Sequence, residues 1–262
     1  HLLKTVMAVY RIEVSYRGSD YLGWQIQDEK QGKTIQGELY QAFFSICRSR
    51  DIKIIGASRT DAGVHSLGQV FRADSPFFIA EDSLKHALNS QLPRDIRIIK
   101  VESCADDFHP IRDAKRKEYL YFFSCDSSNP FNSDLLTSLP YAIDKEKIRQ
   151  GASLFEGRHD FCNFYCKGSD IKSTVRTIYS CNLYEHQNNT DLLFPPHYYS
   201  LKICGDGFLK QMIRLIMGTL WNLGKGKISL LQIENSLQEP LEQKLAPVAP
   251  AKGLYLSKIE YI

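Results

Sequence analysis

Val9-Tyr10-Arg11-Ile12-Glu13-Val14-Ser15-Tyr16 alternates between large apolar and polar or charged side chains, with Tyr10, Ile12, Val14 and Tyr16 on one side. A period of two over such a run is the pattern of a half-buried β-strand, because successive side chains leave opposite faces of the pleat. Downstream, Thr34 precedes Ile35, Leu39, Phe43 and Ile46, which share one helical face, and its hydroxyl suits the N-cap position. Residues 52–55 and 69–73 read as two more strands. A helix around Leu84, Ala87 and Leu88 ends near Pro93, and residues 96–101 read as a strand. The order βαββαβ is that of the ferredoxin-like unit.

The second half shows the same order with looser connections. Residues 115–123 alternate as a strand, Ile148, Ala152 and Phe155 recur at helical spacing within 145–155, and residues 175–184 and 198–203 read as strands. A long helix over 208–223 follows, then a shorter one over 228–237, and residues 254–261 alternate as a last strand. No residue-level repeat links the halves, so the symmetry is one of topology. The expected fold is therefore α+β: two ferredoxin-like βαββαβ units, residues 7–110 and 111–262, joined through a mainly antiparallel sheet with a cleft between them. Residues 127–140, polar with Pro130 and Pro140, read as an insertion or surface loop. Residues 245–253, with Pro247 and Pro250, read as an irregular approach to the last strand.

Composition narrows the class without choosing a function. A chain of 262 residues, 43% hydrophobic and 24% charged, can bury a substantial core and is ordinary for a soluble globule. With a net charge of only +3, binding to a polyanion must come from uneven placement of charge. Seven cysteines, an odd number without a disulfide-like framework, favour a reducing cytosol. No apolar run approaches the roughly 20 residues a membrane span needs. Residues 1–6 are apolar but too short for a signal peptide's layout.

Ser58-Arg59-Thr60-Asp61-Ala62-Gly63-Val64-His65-Ser66-Leu67 carries the chemistry. It places one carboxylate among residues too small to shield it, two positions from an arginine. Gly56 and Ala57 before it and Gly63 within it allow tight backbone conformations. In an extended loop Arg59 and Asp61 leave on the same side, and a guanidinium close by would keep the carboxylate ionised in a partly dry cleft. An Asp-Ala-Gly turn with a solvated arginine has the same spacing. Elsewhere, His159, Cys162 and Cys166 imitate metal-ligand spacing without an apparent fourth ligand, so no metal is expected. Gly224-Lys225-Gly226-Lys227 lacks the spacing of a phosphate-binding Walker loop.

The run Ser58 to His65, followed by Gln69-Val70, resembles the catalytic motif of the TruA-type tRNA pseudouridine synthases. The resemblance extends over nearly the whole chain. Tyr16-Arg17-Gly18-Ser19-Asp20-Tyr21-Leu22-Gly23-Trp24-Gln25 and Thr34-Ile35-Gln36 match that family's opening pattern. Leu88-Asn89, Leu92-Pro93-Arg94-Asp95-Ile96, Phe108-His109 and Lys117-Glu118-Tyr119-Leu120-Tyr121 follow in order. Phe155-Glu156-Gly157-Arg158-His159-Asp160-Phe161, Gly207-Phe208-Leu209-Lys210-Gln211-Met212-Ile213-Arg214 and Ala249-Pro250-Ala251-Lys252-Gly253-Leu254 complete the set.

The resemblance implies a cytoplasmic homodimer that isomerises uridine to pseudouridine at positions 38, 39 and 40 of the tRNA anticodon stem-loop. In that reaction uracil is detached from C1′ of its ribose, turned, and rejoined through C5. Atoms and electrons balance within the nucleotide, so no cofactor is required. One carboxylate must act, at C1′, at C6 or as the base that forms a glycal, and some group must take the C5 proton.

By the same resemblance, Asp61 is the catalytic acid and Arg59 helps open the RNA stack around a flipped base. Tyr119 stacks on the uracil and is a candidate to take the C5 proton, while Arg214 is the ion-pair partner of Asp61. Strand alternation puts Tyr121 and Phe123 beside Tyr119, where packing in a core explains them. Helical spacing puts Lys210, Arg214 and Gly218 on one face, an arrangement a solvated helix edge would share. Arg112, Lys115, Arg116 and Lys117 form a cluster suited to RNA phosphates, with Lys167, Lys172, Arg176, Lys225 and Lys227 as weaker candidates. Structural hydrogen bonding accounts for His65, His109 and His159. The chain departs from the family at Ser58 (usually glycine), Asp206 (a common asparagine), and Lys210 and Gln211 (usually an aromatic and a histidine). These changes bear on substrate preference more than on the reaction.

Overall fold

The alternating run forms β1 (Ala8–Tyr16) in a computed structural model that describes residues 7–27, 32–127, 129–166, 168, 171–188 and 193–261. The chain divides into two units, His1–Lys115 with Leu256–Ile262, and Arg116–Tyr255. The final residues are thus counted with the first unit, whereas the linear reading put them in the second.

In the first unit β1 is followed by α1 (Ile35–Cys47), β2 (Lys53–Gly56), β3 (His65–Ser75), α2 (Glu81–Gln91) and β4 (Ile96–Ser103), the βαββαβ order expected. β1 runs antiparallel to both neighbours, with Ile12 opposite Phe71 of β3 and Val101 of β4. β2 pairs antiparallel with the later part of β3, Ile54 opposite Ala73. The face predicted from alternation is the core face: Tyr10, Ile12, Val14 and Tyr16 are all buried, packed with Leu39, Phe43, Phe71, Leu84 and Leu88. Removing each such side chain from water is worth about 1.5–3 kcal/mol, which fixes the register because a one-residue slip would expose the whole set. Thr34 caps α1 by accepting from the Gly37 N–H at 3.2 Å. β3 begins at His65, four residues earlier than the sequence suggested, so the Asp61 loop is shorter than expected.

In the second unit β5 (Arg116–Ser124) is followed by β6 (Thr137–Ser138), α3 (Lys145–Leu154), β7 (Gly157–Asp160), β8 (Val175–Gln187), β9 (His197–Gly205), α4 (Met212–Gly224) and α5 (Leu230–Ser236). The strand order is β5-β9-β8-β7, with antiparallel pairing throughout and β6 added parallel to β5. Asp144 caps α3, and a reciprocal Ser229–Gln232 capping box starts α5.

Three elements differ from expectation. α4 starts at Met212 instead of residue 208, because Gln211 takes a left-handed backbone, φ 61°, that no helix can run through. Residues 127–140 are more than a surface loop: Leu136 and Asn132 are fully buried, and the chain there returns to pair with β5. β7 is too short and too polar to announce itself in the sequence. After a 3-10 turn at Ala251–Gly253, β10 (Leu254–Glu260) closes the described chain. From Leu256 onward it belongs to the first unit, where the Ser66 hydroxyl donates to the Leu256 carbonyl at 3.2 Å.

Candidate active site

In the first unit Asp61 opens a β-turn. The Val64 N–H donates to the Asp61 carbonyl at 3.1 Å, and Gly63 occupies the third position with φ 79°, the place where a turn of type II calls for glycine. The carboxylate-bearing residue is half-buried, while Arg59 and Ala62 on either side are exposed. Arg59 is exposed, and no hydrogen bond or ion pair joins it to Asp61 within this loop.

The turn is fixed by the glycine-containing segment that follows β1. Tyr16 Oη and Thr60 Oγ1 lie 2.8 Å apart in a buried hydrogen bond. The Trp24 N–H donates to the Thr60 carbonyl at 3.1 Å, and the Gly63 N–H to the Tyr21 carbonyl at 3.3 Å. The Gly18 N–H donates to His65 Nδ1 at 3.1 Å, which makes this buried ring a neutral acceptor on that nitrogen. A Cβ at Gly18 would lie 1.9 Å from the Val64 carbonyl oxygen, and one at Gly23 would lie 2.5 Å from that of Thr60. Only glycine lets the two backbones approach so closely. On the other side of the loop, Gln69 uses both ends of its amide, accepting from the Ser58 N–H at 3.2 Å and donating to the Ser58 carbonyl at 2.6 Å. The side chain at residue 58 is not part of that clamp, so serine is compatible with it.

Thus the opening motif and the Asp61 motif, which the sequence offered as separate matches, are two halves of one scaffold. From sequence, Gly18, Gly23, Thr60 and Gln69 were read only as members of the matched motifs, with no holding role assigned to them. Gly23 was the available signal, since it lies between Leu22 and Trp24 where a turn alone would not demand it.

In the second unit Tyr119 sits on β5 opposite Ile203 of β9, buried, with its ring edge-on to Phe208 at 5.2 Å between centroids. Tyr121 and Phe123 are core residues, as read from sequence. Tyr121 is fully buried, its hydroxyl shared with Thr137 Oγ1 at 2.9 Å and donated to the Pro250 carbonyl at 2.7 Å, and burial pushes its pKa up. Arg214 lies in the first turn of α4 and does not edge a solvated helix. Its Nε donates to the Ala249 carbonyl at 2.7 Å, and the Ala249 N–H donates back to the Arg214 carbonyl at 3.1 Å. One turn on, a Cβ at Gly218 would lie 2.2 Å from the Pro247 carbonyl oxygen, so the irregular stretch before β10 is pressed against this face of α4. Lys210 precedes the helix and is exposed.

The basic cluster divides by environment. Arg112 is paired with Asp113 at 2.7 Å and donates to the Asp107 carbonyl, a local turn contact. Lys115 is exposed. Arg116 lies over the Tyr179 ring, 5.0 Å from its centroid. Lys117 is half-buried. Lys167 lies outside the described residues. His109 Nδ1 accepts from the Ile111 and Arg112 N–H groups, and His159 Nε2 donates to the Glu156 carbonyl at 2.7 Å. Among the described residues no cluster of His, Cys, Asp and Glu could hold a metal ion, and no helix is long and apolar enough to cross a membrane. All seven cysteines are unbridged.

A half-buried carboxylate on a backbone-clamped turn can serve as nucleophile or base without reorganising. Comparison with known proteins identifies the setting. The sequence model of a family described as tRNA pseudouridine synthase matches residues 12–111 and 152–262. The chain is similar to tRNA pseudouridine synthase A of Thermodesulfovibrio yellowstonii, 35% identical over 258 residues that cover 97% of this chain and 100% of that protein. It is 38% identical to tRNA pseudouridine synthase A 2 of Desulfotalea psychrophila, with 97% and 99% covered. Against tRNA pseudouridine synthase A of Oceanobacillus iheyensis the identity is 36%, with 95% and 94% covered. A model match that includes the Asp61 loop and α4, together with relatives of 35–38% identity over 95–97% of the chain, makes the chain a member of the tRNA pseudouridine synthase family, of the TruA type.

Proposed function

We propose that this chain isomerises uridine to pseudouridine at positions 38, 39 and 40 of the tRNA anticodon stem-loop, with Asp61 as the carboxylate that acts on the nucleotide. The observation that carries the reading is the fixation of the Asp61 turn. Its backbone is tied to Tyr21 and Trp24, its neighbour Thr60 to Tyr16, and Ser58 to Gln69, while the acid itself stays half-buried. Such a turn spends rigidity on one carboxylate, as a reaction needing a single positioned acid requires.

The other roles follow from the family. Tyr119 stacks on the flipped uracil, a contact worth about 1–3 kcal/mol, and its phenol is the candidate for C5 proton removal. Arg214, anchored through Ala249, supplies the guanidinium that pairs with Asp61, and the exposed Arg59 enters the space that the flipped base vacates. Arg112, Lys115, Arg116 and Lys117 contact RNA phosphates. The working enzyme is a cytoplasmic homodimer that needs no cofactor, because the product is an isomer of the substrate.

The test is incubation of the protein with unmodified tRNA labelled with tritium at uridine C5. The reading predicts tritium release without free uracil, and mass-spectrometric mapping of the new pseudouridines to positions 38–40. Binding without release would make the chain an RNA-binding protein, and free uracil among the products would make it a nucleosidase. Release with modification confined to other positions would overturn the assignment of the site while leaving the chemistry intact.

A further inference from the structure

Asp95 stands between α2 and β4, within Leu92-Pro93-Arg94-Asp95-Ile96, a stretch to which the pseudouridine synthase reading assigns no role. One segment takes up both of its polar ends. The Arg17 N–H donates to the Asp95 carbonyl at 2.9 Å, next to the Tyr16–Ile96 pair of the β1–β4 ladder, and Tyr21 Oη donates to Asp95 Oδ1 at 2.7 Å. The turn that carries Tyr21 is closed by the Tyr21 N–H, which donates to the Gly18 carbonyl at 3.0 Å. Arg17 is a cation in the same segment, yet its guanidinium meets Asp20 at 3.7 Å at the surface, so the Asp95 carboxylate holds a phenol. Among the described residues Asp95 Oδ2 makes no hydrogen bond or ion pair.

Tyr21 joins this carboxylate to the Asp61 turn. Its ring is buried in the core of the first unit, and its backbone carbonyl accepts from the Gly63 N–H at 3.3 Å, inside the turn that Asp61 opens. Burial, and then the bond to Asp95, hold the phenol well above its ordinary pKa, so it stays a donor at neutral pH. A buried ring anchored at its tip leaves the backbone that carries it little freedom to shift. Every member of this chain of contacts belongs to the first unit.

We propose that Asp95 is a positioning residue for Asp61, fixing through the Tyr21 phenol the carbonyl on which the Asp61 turn hangs. This rests on the pseudouridine synthase reading with Asp61 as the acting acid. Asp95 carries no step of the reaction itself; it acts through Tyr21.

The test separates rate from binding, because a slackened turn should misplace the acid without removing any contact to RNA. Tritium release from C5-labelled tRNA is read in a single turnover at saturating protein, beside the dissociation constant for the same tRNA and the folded fraction from urea denaturation. Asp95→Ala and Tyr21→Phe should each slow release at least about tenfold, since a displacement of about 1 Å can cost more than that, while tRNA affinity stays within about twofold. The double variant should be no more than about twofold slower than the slower single one, because both changes break the same bond. Asp95→Asn keeps an oxygen that can accept from the phenol, so it should recover release to within about threefold of the unaltered protein. Release undiminished in either single variant, losses that multiply in the double, or no recovery with asparagine would overturn the proposal. A loss matched by an equal loss of binding and of folded fraction would do so too, since that is what a purely structural bond gives. Release by the unaltered protein together with any of these results refutes only the role of Asp95. No release by the unaltered protein refutes the reading beneath it, and the role of Asp95 with it.

Discussion

Asp61 and Tyr119 are held by different means. Asp61 sits in a loop whose position comes from backbone meeting backbone, at distances that Gly18 and Gly23 permit and any Cβ would forbid. Tyr119 sits in a regular strand, placed by the β5–β9 register and by the Phe208 ring that meets it edge-on. The contrast teaches that the first arrangement is intolerant of a single added carbon, while the second rests on the register of a regular strand. A loop that must present an acid cannot rely on sheet hydrogen bonds, so a second segment, residues 16–24, does the holding.

Substitutions in the two regions sharpen this difference. Gly18→Ala places a methyl group 1.9 Å from the Val64 carbonyl oxygen, a backbone atom that cannot swing aside. We expect a stability loss of about 1–3 kcal/mol, the usual cost of overpacking, read by urea denaturation. Pseudouridine formation by the fraction that remains folded should fall at least about tenfold, since a 1 Å misplacement of a catalytic group can cost more than that. If the folded variant turned over normally, the glycine clamp would be irrelevant to the acid's position. Tyr121→Phe is the counterpart in the second unit. It keeps the ring and removes the hydroxyl shared with Thr137 and Pro250. The expected loss is smaller, about 1–2 kcal/mol from groups left without their partner, and turnover should stay within about twofold. A larger loss of turnover than of stability would show that the packing around Tyr119 is as exacting as the Asp61 clamp.

Much of this was legible in the sequence, for physical reasons that differ by region. β1 and α1 were readable because their buried faces follow periods of 2 and 3.6, and the βαββαβ order of the first unit followed from them. Tyr121 and Phe123 were readable as core because alternation assigns a face. The start of α4 was not: Phe208 and Leu209 stand at helical spacing from Met212 and Ile213, and nothing local announces the left-handed conformation of Gln211. The buried part of residues 127–140 was hidden by its prolines and polar residues, although Leu136 and Leu139 supply the apolar contacts. At the site, the acid was visible as an Asp in small surroundings, but spacing suggested Arg59 as its companion, and the structure leaves Arg59 exposed. The Gln69–Ser58 and Tyr16–Thr60 contacts join residues 11 and 44 apart in sequence, and no periodicity reports a contact of that kind.

The central claim is that one carboxylate, on a turn held by its backbone, does the chemistry on uridine. Asp61→Asn tests it most directly, because the amide keeps the size and shape of the side chain while removing its charge and nucleophilicity. Tritium release from C5-labelled tRNA should fall by at least about a thousandfold, as expected for loss of the nucleophile or base, while tRNA affinity stays within a few fold. Turnover by Asp61→Asn at a rate near that of the unaltered protein would contradict the account.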